Sequence, residues 1–158
     1  MISINIPQER KPIVIGKDCE IKADVEHRTK TKIKIGKEIE IEGDPESEAK
    51  ASELVKAIGR GFSPHVAYKL LDEEVLLDVI TIKGTPNTIK RLMSRIIGTQ
   101  GKAKKNIERL TDASIAVYGK TVSIIGNYKE INKARSAIEM LIAGRTHSHV
   151  WRQLERRR

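Results

Sequence analysis

Ile2, Ile4 and Ile6 alternate with polar residues, the period-two pattern of a strand with one buried face. Ile33 and Ile35 alternate in the same way, as do Ile39 and Ile41, and Gly36-Lys37 between the two pairs predicts a hairpin turn. The period then becomes helical. Ala51, Leu54, Val55 and Ile58 form one apolar stripe, with Asp44 placed to cap its start, Pro45 at its first position, and Gly59 and Gly61 at its end. The second half follows the same plan. Leu77, Val79, Ile80 and Ile82 predict a strand, and Thr85-Pro86 opens a helix carrying Ile89, Leu92, Met93 and Ile96 on one face. Gly98-Thr99-Gln100-Gly101 interrupts it, and a second helix turns Ala103, Ile107 and Leu110 inward. Strands holding Ile115 and Val117, then Val122 and Ile124, meet through Gly119-Lys120. Asn127 with Glu130 three residues on has the form of a capping box, before a last helix burying Ile131, Ala134, Ile138, Leu141 and Ile142.

The two halves also align residue by residue. Ile15-Gly16 matches Ile97-Gly98 at an offset of 82, as Val25, Glu26, Thr29 and Ile33 match Ile107, Glu108, Thr111 and Ile115. One inserted residue changes the offset to 83. Gly36-Lys37 then meets Gly119-Lys120, Ile41 meets Ile124, Lys50-Ala51 meets Lys133-Ala134, and Gly61 meets Gly144. Two copies of one small α+β domain account for this register. The expected organisation is a first domain over residues 1–62, a connecting segment over 63–75 with a short helix after Ser63-Pro64, a second domain over 76–144, and a basic tail over 145–158.

Charge changes the picture of what the second copy does. The chain of 158 residues carries +9 at neutral pH, but residues 1–75 hold 13 basic and 15 acidic side chains and residues 76–158 hold 17 and 6. A field so positive and so localised suits a polyanion, because Lys and Arg beside phosphates release counterions and steer encounter. An aromatic content of 3% argues against an aromatic stacking surface. One cysteine, Cys19, excludes an internal disulfide and a cysteine-rich zinc site, and fits a reducing compartment. The first residues have no long apolar core of a signal peptide, and no apolar run reaches the roughly 18 to 20 residues of a spanning helix, so a cytoplasmic protein without membrane association is expected. High Lys, Ile and Glu lean toward a thermophilic source.

Gly98 to Gly101 is the chain's one G-x-x-G, a spacing expected roughly once by chance with eleven glycines, so its context carries the argument. It lies between two amphipathic helices and is followed by Lys102, Lys104 and Lys105. Glycines let a phosphodiester approach the backbone, and the new helix N-terminus offers unpaired N–H groups. Lysines in that first turn oppose the helix dipole, an arrangement an anionic backbone would compensate. The stretch RIIGTQGKAKKNIERLTDASIAVYGKTVSIIGNYKEINKARSAIEMLIAG resembles a K-homology (KH) domain of type I, order βααββα, with the likeness covering residues 76–144. GFSPHVAYKLL and ARSAIEMLIAGRTHSHVW narrow the resemblance to the archaeal-type two-KH-domain proteins of the partner-of-NOB-one family, which tend to carry a basic residue where Lys104 stands.

The resemblance implies two tandem type I KH domains, each a three-stranded antiparallel sheet with helices packed on one face. It also implies a non-enzymatic RNA-binding factor in ribosome small-subunit assembly. Its RNA would be the 3′ region of small-subunit ribosomal RNA, and its protein partner an rRNA endonuclease or another assembly protein. Single-stranded RNA would lie along Gly98, Thr99, Gln100 and Gly101, with Lys102 on phosphates and Ile96, Ile97, Ile115 and Val117 toward bases. Arg95, Lys105, Arg109 and Lys120 would supply the surrounding field, and Arg152, Arg156, Arg157 and Arg158 a terminal basic cluster. The first copy has Gly16-Lys17-Asp18-Cys19 instead, without the second glycine and with a carboxylate where phosphate would lie, so clamping by that loop is not expected.

Other constellations favour structural roles. Glu38, Glu40, Glu42 and Asp44 alternate with Ile39 and Ile41 and are expected on the wet face of a strand instead of around a metal. His147 and His149 lack companion ligands and are expected as exposed tail residues. Gly119-Lys120-Thr121 resembles the end of a P-loop, but Ser114 stands where its first glycine belongs. Cys19 has no placed histidine to activate it and is expected as a small buried thiol. No cofactor and no catalytic residue emerges. The rival readings are a KH protein for another RNA or single-stranded DNA, and a protein-interaction scaffold favoured by the acidic first half.

Overall fold

In the computed structural model, which describes residues 1–156, the second strand of each predicted hairpin becomes the middle strand of a sheet. In the first unit, Met1–Glu73, β1 (Ile2–Ile4) and β2 (Lys32–Ile35) flank β3 (Ile39–Glu42), both antiparallel to it. In the second, Glu74–Arg158, β4 (Leu76–Thr81) and β5 (Ser114–Tyr118) flank β6 (Thr121–Gly126) in the same way. A buried strand must have its amides and carbonyls paired on both edges, which is the central position. Ile39 and Ile41 have no exposed surface, and β6 is buried along its length. Glu38 and Glu42 are exposed around them, as the alternation requires. Ile6 falls outside β1, one residue before Pro7.

The helices of the first unit are α1 (Lys11–Ile15), α2 (Glu20–Thr29), α3 (Pro45–Gly59) and α4 (Pro64–Ala67). Those of the second are α5 (Pro86–Ile97), α6 (Lys102–Thr111), α7 (Tyr128–Ile142) and α8 (His147–Arg156). Val122 stands opposite Ile80 and Val117, and Ile124 opposite Ile115. This sheet face packs with Ile89, Leu92, Met93 and Ile96 of α5, Ile107 and Leu110 of α6, and Ile131, Ile138 and Leu141 of α7. The Asn127/Glu130 capping box forms, each residue bonding the other's backbone amide at 2.9 Å.

The repeat is reproduced in polar contacts. Glu26 accepts from the amide of Ile33 at 2.8 Å and pairs with Lys22, while Glu108 accepts from the amide of Ile115 at 3.0 Å and pairs with Lys104. Thr29 and Thr111 each donate to the carbonyl four residues back at 2.7 Å.

It also runs further than the sequence alignment carried it. Phe62 N–H donates to Ala57 and Arg145 N–H to Met140; Ser63 Oγ accepts from Val66 and Thr146 Oγ1 from His149, every pair at the same offset of 83. Ala67 and Val150, also 83 apart, are both fully buried. The residues expected to connect the domains therefore fold onto the first unit, with Leu70 buried. Those expected as a basic tail form α8, whose Val150 and Leu154 belong to the second core. Two apolar residues four apart among arginines and histidines mark a narrow buried stripe on an otherwise charged helix. Arg152 and Arg156 are exposed on it, and Arg157 and Arg158 lie outside the described residues.

Asp44 gives the first unit a pH dependence. Its side chain accepts from Ser47 N–H at 3.0 Å and from Ser47 Oγ at 3.0 Å, and these bonds, the backbone one foremost, hold its carboxyl below the ordinary 3.8. A depressed folded pKa contributes stability that is complete above the unfolded value and is lost as pH falls through the folded one. Thermal unfolding followed by circular dichroism between pH 2 and 6 should show this acid limb in wild type. Asp44→Asn, which keeps a cap acceptor without the charge, should make it shallower, with Asp24 and Glu48, whose carboxyls are also held below their ordinary values, supplying the rest.

Candidate nucleic-acid interface

The loop between α5 and α6 is built around one glycine that nothing else can replace. Gly98 has φ +76° and ψ 175°, and a Cβ there would lie 2.6 Å from Ala103 Cβ and 2.8 Å from Ala103 N. Gln100 and Gly101 follow in the left-handed region at φ +56° and +74°, and Gly101 N–H returns to Gly98 O at 3.2 Å. A Cβ on Gly101 would meet nothing, so its glycine is needed for backbone approach and conformation and not for packing. Thr99, Gln100 and Lys102 are exposed, and no side chain caps α6, so its first amides face outward as an anion site does.

The first unit has the same backbone with different chemistry. Gly16 stands at φ +74°, ψ 178°, Asp18 at +52° and Cys19 at +61°, and a Cβ on Gly16 would collide with Ile21 Cγ1. The missing second glycine thus changes no geometry. Cys19 is exposed, contrary to the buried thiol expected, because the left-handed turn ahead of α2 places it outside the helix.

The predicted interface residues divide among three places. Gly98, Thr99, Lys102, Lys105 and Arg109 line a cleft of about 600 Å³ between α6 and α8, together with Asn106, His147 and Trp151. Ile97 and Lys120 line a second cleft of about 510 Å³ between α5 and the β5–β6 turn, beside Met93 and Gly119. Ile96 and Ile115 are 0% and 3% exposed and belong to the core, so they present no surface to bases, while Val117 is half-buried against it. Alternation on β5 makes Ile115 and Val117 look equivalent, but Ile115 lies inside the second core with Ile107 and Leu110 of α6, while Val117 packs at its margin. Arg95 is committed to structure: its guanidinium donates to the carbonyls of Leu141 at 3.3 Å and of Arg145. His147, expected to be exposed, bonds through Nε2 to Arg95 O at 2.8 Å, and its ring centroid lies 5.8 Å from that of Trp151. Composition did not single out Trp151; the only available signal was its match to Tyr68 at offset 83.

On α6, Lys102, Lys105, Asn106 and Arg109 recur at three- and four-residue steps and make one face without a carboxylate, while Lys104 and Glu108 point to β5. At offset 82 the first unit has Glu20, Ala23, Asp24 and His27, lining a cleft with Pro64, His65 and Tyr68. The same surface is cationic in one copy and acidic in the other. Among the described residues no group of three His, Cys, Asp or Glu side chains is placed to hold a metal ion, and no helix is long and apolar enough to cross a membrane.

A family model described as a eukaryotic type KH-domain (KH-domain type I) matches residues 73–158, and one described as a KH domain matches residues 1–57. A KH domain-containing protein of Methanocaldococcus jannaschii is 39% identical over 98% of this chain and 73% of its own length. An RNA-binding protein pno1 of Dictyostelium discoideum is 29% identical over 97% of this chain and 64% of its own length. The crystal structure of Dim2p from Pyrococcus horikoshii superposes with a TM-score of 0.91 at 42% identity, covering 98% of both chains. That of an a/eIF2alpha–aDim2p–rRNA complex from the same organism gives 0.91 and 42%, over 99% of this chain and 92% of the matched one.

Proposed function

The chain belongs to the family of two-KH-domain proteins that includes pno1 and Dim2p, and from that premise we propose that it is a non-enzymatic factor holding single-stranded RNA at its second KH domain. The observation that carries this reading is the loop itself: a glycine-determined backbone at Gly98 to Gly101, opening onto the uncapped start of α6 and its cationic face. Loop amides and Lys102 hold phosphates, and Lys105 and Arg109 extend the field along α6. Ile97, Val117 and Lys120 line the path toward the β5–β6 turn, with Ile96 and Ile115 supporting it from the core.

The relatives support the polymer. One is named RNA-binding, and Dim2p has been crystallised in a complex containing rRNA. The target proposed here is the 3′ region of small-subunit ribosomal RNA during subunit assembly, in company with an endonuclease or another assembly protein.

The test is a fluorescence-anisotropy titration of a ten-nucleotide RNA of that region against wild type and Thr99→Asp/Gln100→Asp, with circular dichroism as a check of folding. Two carboxylates at the exposed loop should weaken binding about tenfold or more. A clamp on three or four phosphates should give a log–log salt slope of roughly −2 to −3. Equal binding by both proteins moves the RNA contact to another face. No binding by wild type puts the protein-interaction scaffold ahead.

A further inference from the structure

The cleft between α6 and α8 lies on the opposite flank of α6 from β5, and the loop forms only its mouth. One wall is the α6 face of Lys102, Lys105, Asn106 and Arg109; the other is α8, with His147 and Trp151. It opens at Gly98 and Thr99, so a chain held at the loop is already at its mouth. Trp151, the one tryptophan of the sequence, is half-buried: it packs against the core and also lines the cleft. Its position is set by α8, whose Val150 and Leu154 are buried on either side and whose His147 is bonded to Arg95 O.

From this arrangement we propose that the α6–α8 cleft is a second RNA subsite, in which one base of the strand leaving the Gly98 to Gly101 loop stacks on Trp151 while Lys105 and Arg109 hold its phosphates. The inference rests on the RNA reading of the loop. A ring at the wall of a cationic cleft offers a sequence-tolerant platform for a base, and the flanking cations match a polyanion. The first unit supplies an internal comparison. There the same cleft carries Glu20 and Asp24 in place of Lys102 and Asn106, and its ring, Tyr68, is covered by the Arg28 guanidinium 4.6 Å from its centroid. One fold thus presents an open cationic cleft in one copy and an acidic one with a covered ring in the other, and only the former suits RNA.

Because Trp151 is the chain's one tryptophan, all tryptophan emission of the folded protein comes from the wall of this cleft. The ten-nucleotide RNA is titrated into wild type, Trp151→Phe, Trp151→Ala and Lys105→Glu/Arg109→Glu, reading the anisotropy of a label on the RNA in every case and tryptophan emission where Trp151 remains. Circular dichroism checks each variant, and the double charge variant alters only exposed residues. The expected result is quenching of wild-type emission in step with the anisotropy. Trp151→Ala should weaken binding about tenfold or more, and Trp151→Phe, which keeps a stacking face, about threefold or less. The charge variant should lose the quench. If the RNA binds wild type while its emission does not change and the charge variant binds as tightly, the cleft is not a subsite and the α6 field of Lys105 and Arg109 is overturned with it, while the clamp by the loop amides and Lys102 stands. If the RNA does not bind at all, the loop reading fails and takes this one with it. Quenching by a polyglutamate peptide but not by RNA would assign the cleft to an acidic protein segment and overturn the proposal.

Discussion

Gly98→Val is expected to remove most of the stability of the second unit, whereas Gly101→Asn, three residues on in the same loop, should leave it folded. At φ +76° and ψ 175° only glycine is comfortable, and a non-glycine residue there costs about 1–3 kcal/mol in backbone strain. The new Cβ would also lie 2.6 Å from Ala103 Cβ and 2.8 Å from Ala103 N, inside the first turn of α6. Relieving that contact means shifting backbone, and overpacking of this kind costs roughly 1–3 kcal/mol more. A domain of this size has about 5–10 kcal/mol in all. At Gly101 a Cβ meets nothing, and Asn tolerates the left-handed conformation better than most residues. Cys19 already occupies the matching position at φ +61° in the first unit. Urea unfolding followed by Trp151 emission reads the second unit selectively, since that unit holds the chain's single tryptophan. A Gly98→Val protein with an unchanged midpoint would mean that the loop is not held as described.

Leu154→Ala should lower the stability of the same unit by about 2–4 kcal/mol, a full core penalty for the fifth-last residue of the given sequence, in its most basic stretch. Leu154 is 1% exposed and packs in one cluster with Val150, Leu110 and Leu141. Truncating it leaves a cavity lined by α6, α7 and α8, and neighbours tied to three helices collapse only partly into it. Arg156→Ala, an exposed change on the same helix, should stay within about 0.5 kcal/mol of wild type in the same urea experiment. Equal, small effects of the two substitutions would show α8 to be a loosely attached tail.

Much of this was legible in one dimension. The periods of two and 3.6 located the strands and helices, because each sheet has one face against the core and each of the long helices α3, α5 and α7 has one buried stripe. The caps at Asp44, Thr85 and Asn127 were readable because a cap is a contact between residues three apart. The offset of 82 to 83 aligned Glu26 with Glu108, and the two do hold matching strands.

The candidate site was legible only in part, and the residues that went astray share a cause. Ile96 and Ile97 are neighbours of one type, yet one is core and the other surface, because 100° of helix rotation separates them. Arg95 reads as free charge until the carbonyls of Leu141 and Arg145 arrive beside it from some fifty residues away. Cys19 reads as a small apolar residue until the turn before α2 puts it outside. Trp151 lies fifty residues beyond the loop in sequence and shares a cleft with it in the fold.

Local pattern and repetition alone therefore determine that this chain makes two copies of one α+β unit, that the second carries the cationic charge, and that Gly98 begins its loop. These properties depend on contacts within a few residues or on composition, which a linear sequence contains. The tertiary structure alone decides that residues 62–71 and 145–156 are the same final element of the repeat. It alone decides which cations along α6 face a cleft and that a single tryptophan closes it. Such properties belong to surfaces assembled from distant segments, and the packing of Val150 and Leu154 into the second core is what brings those segments together.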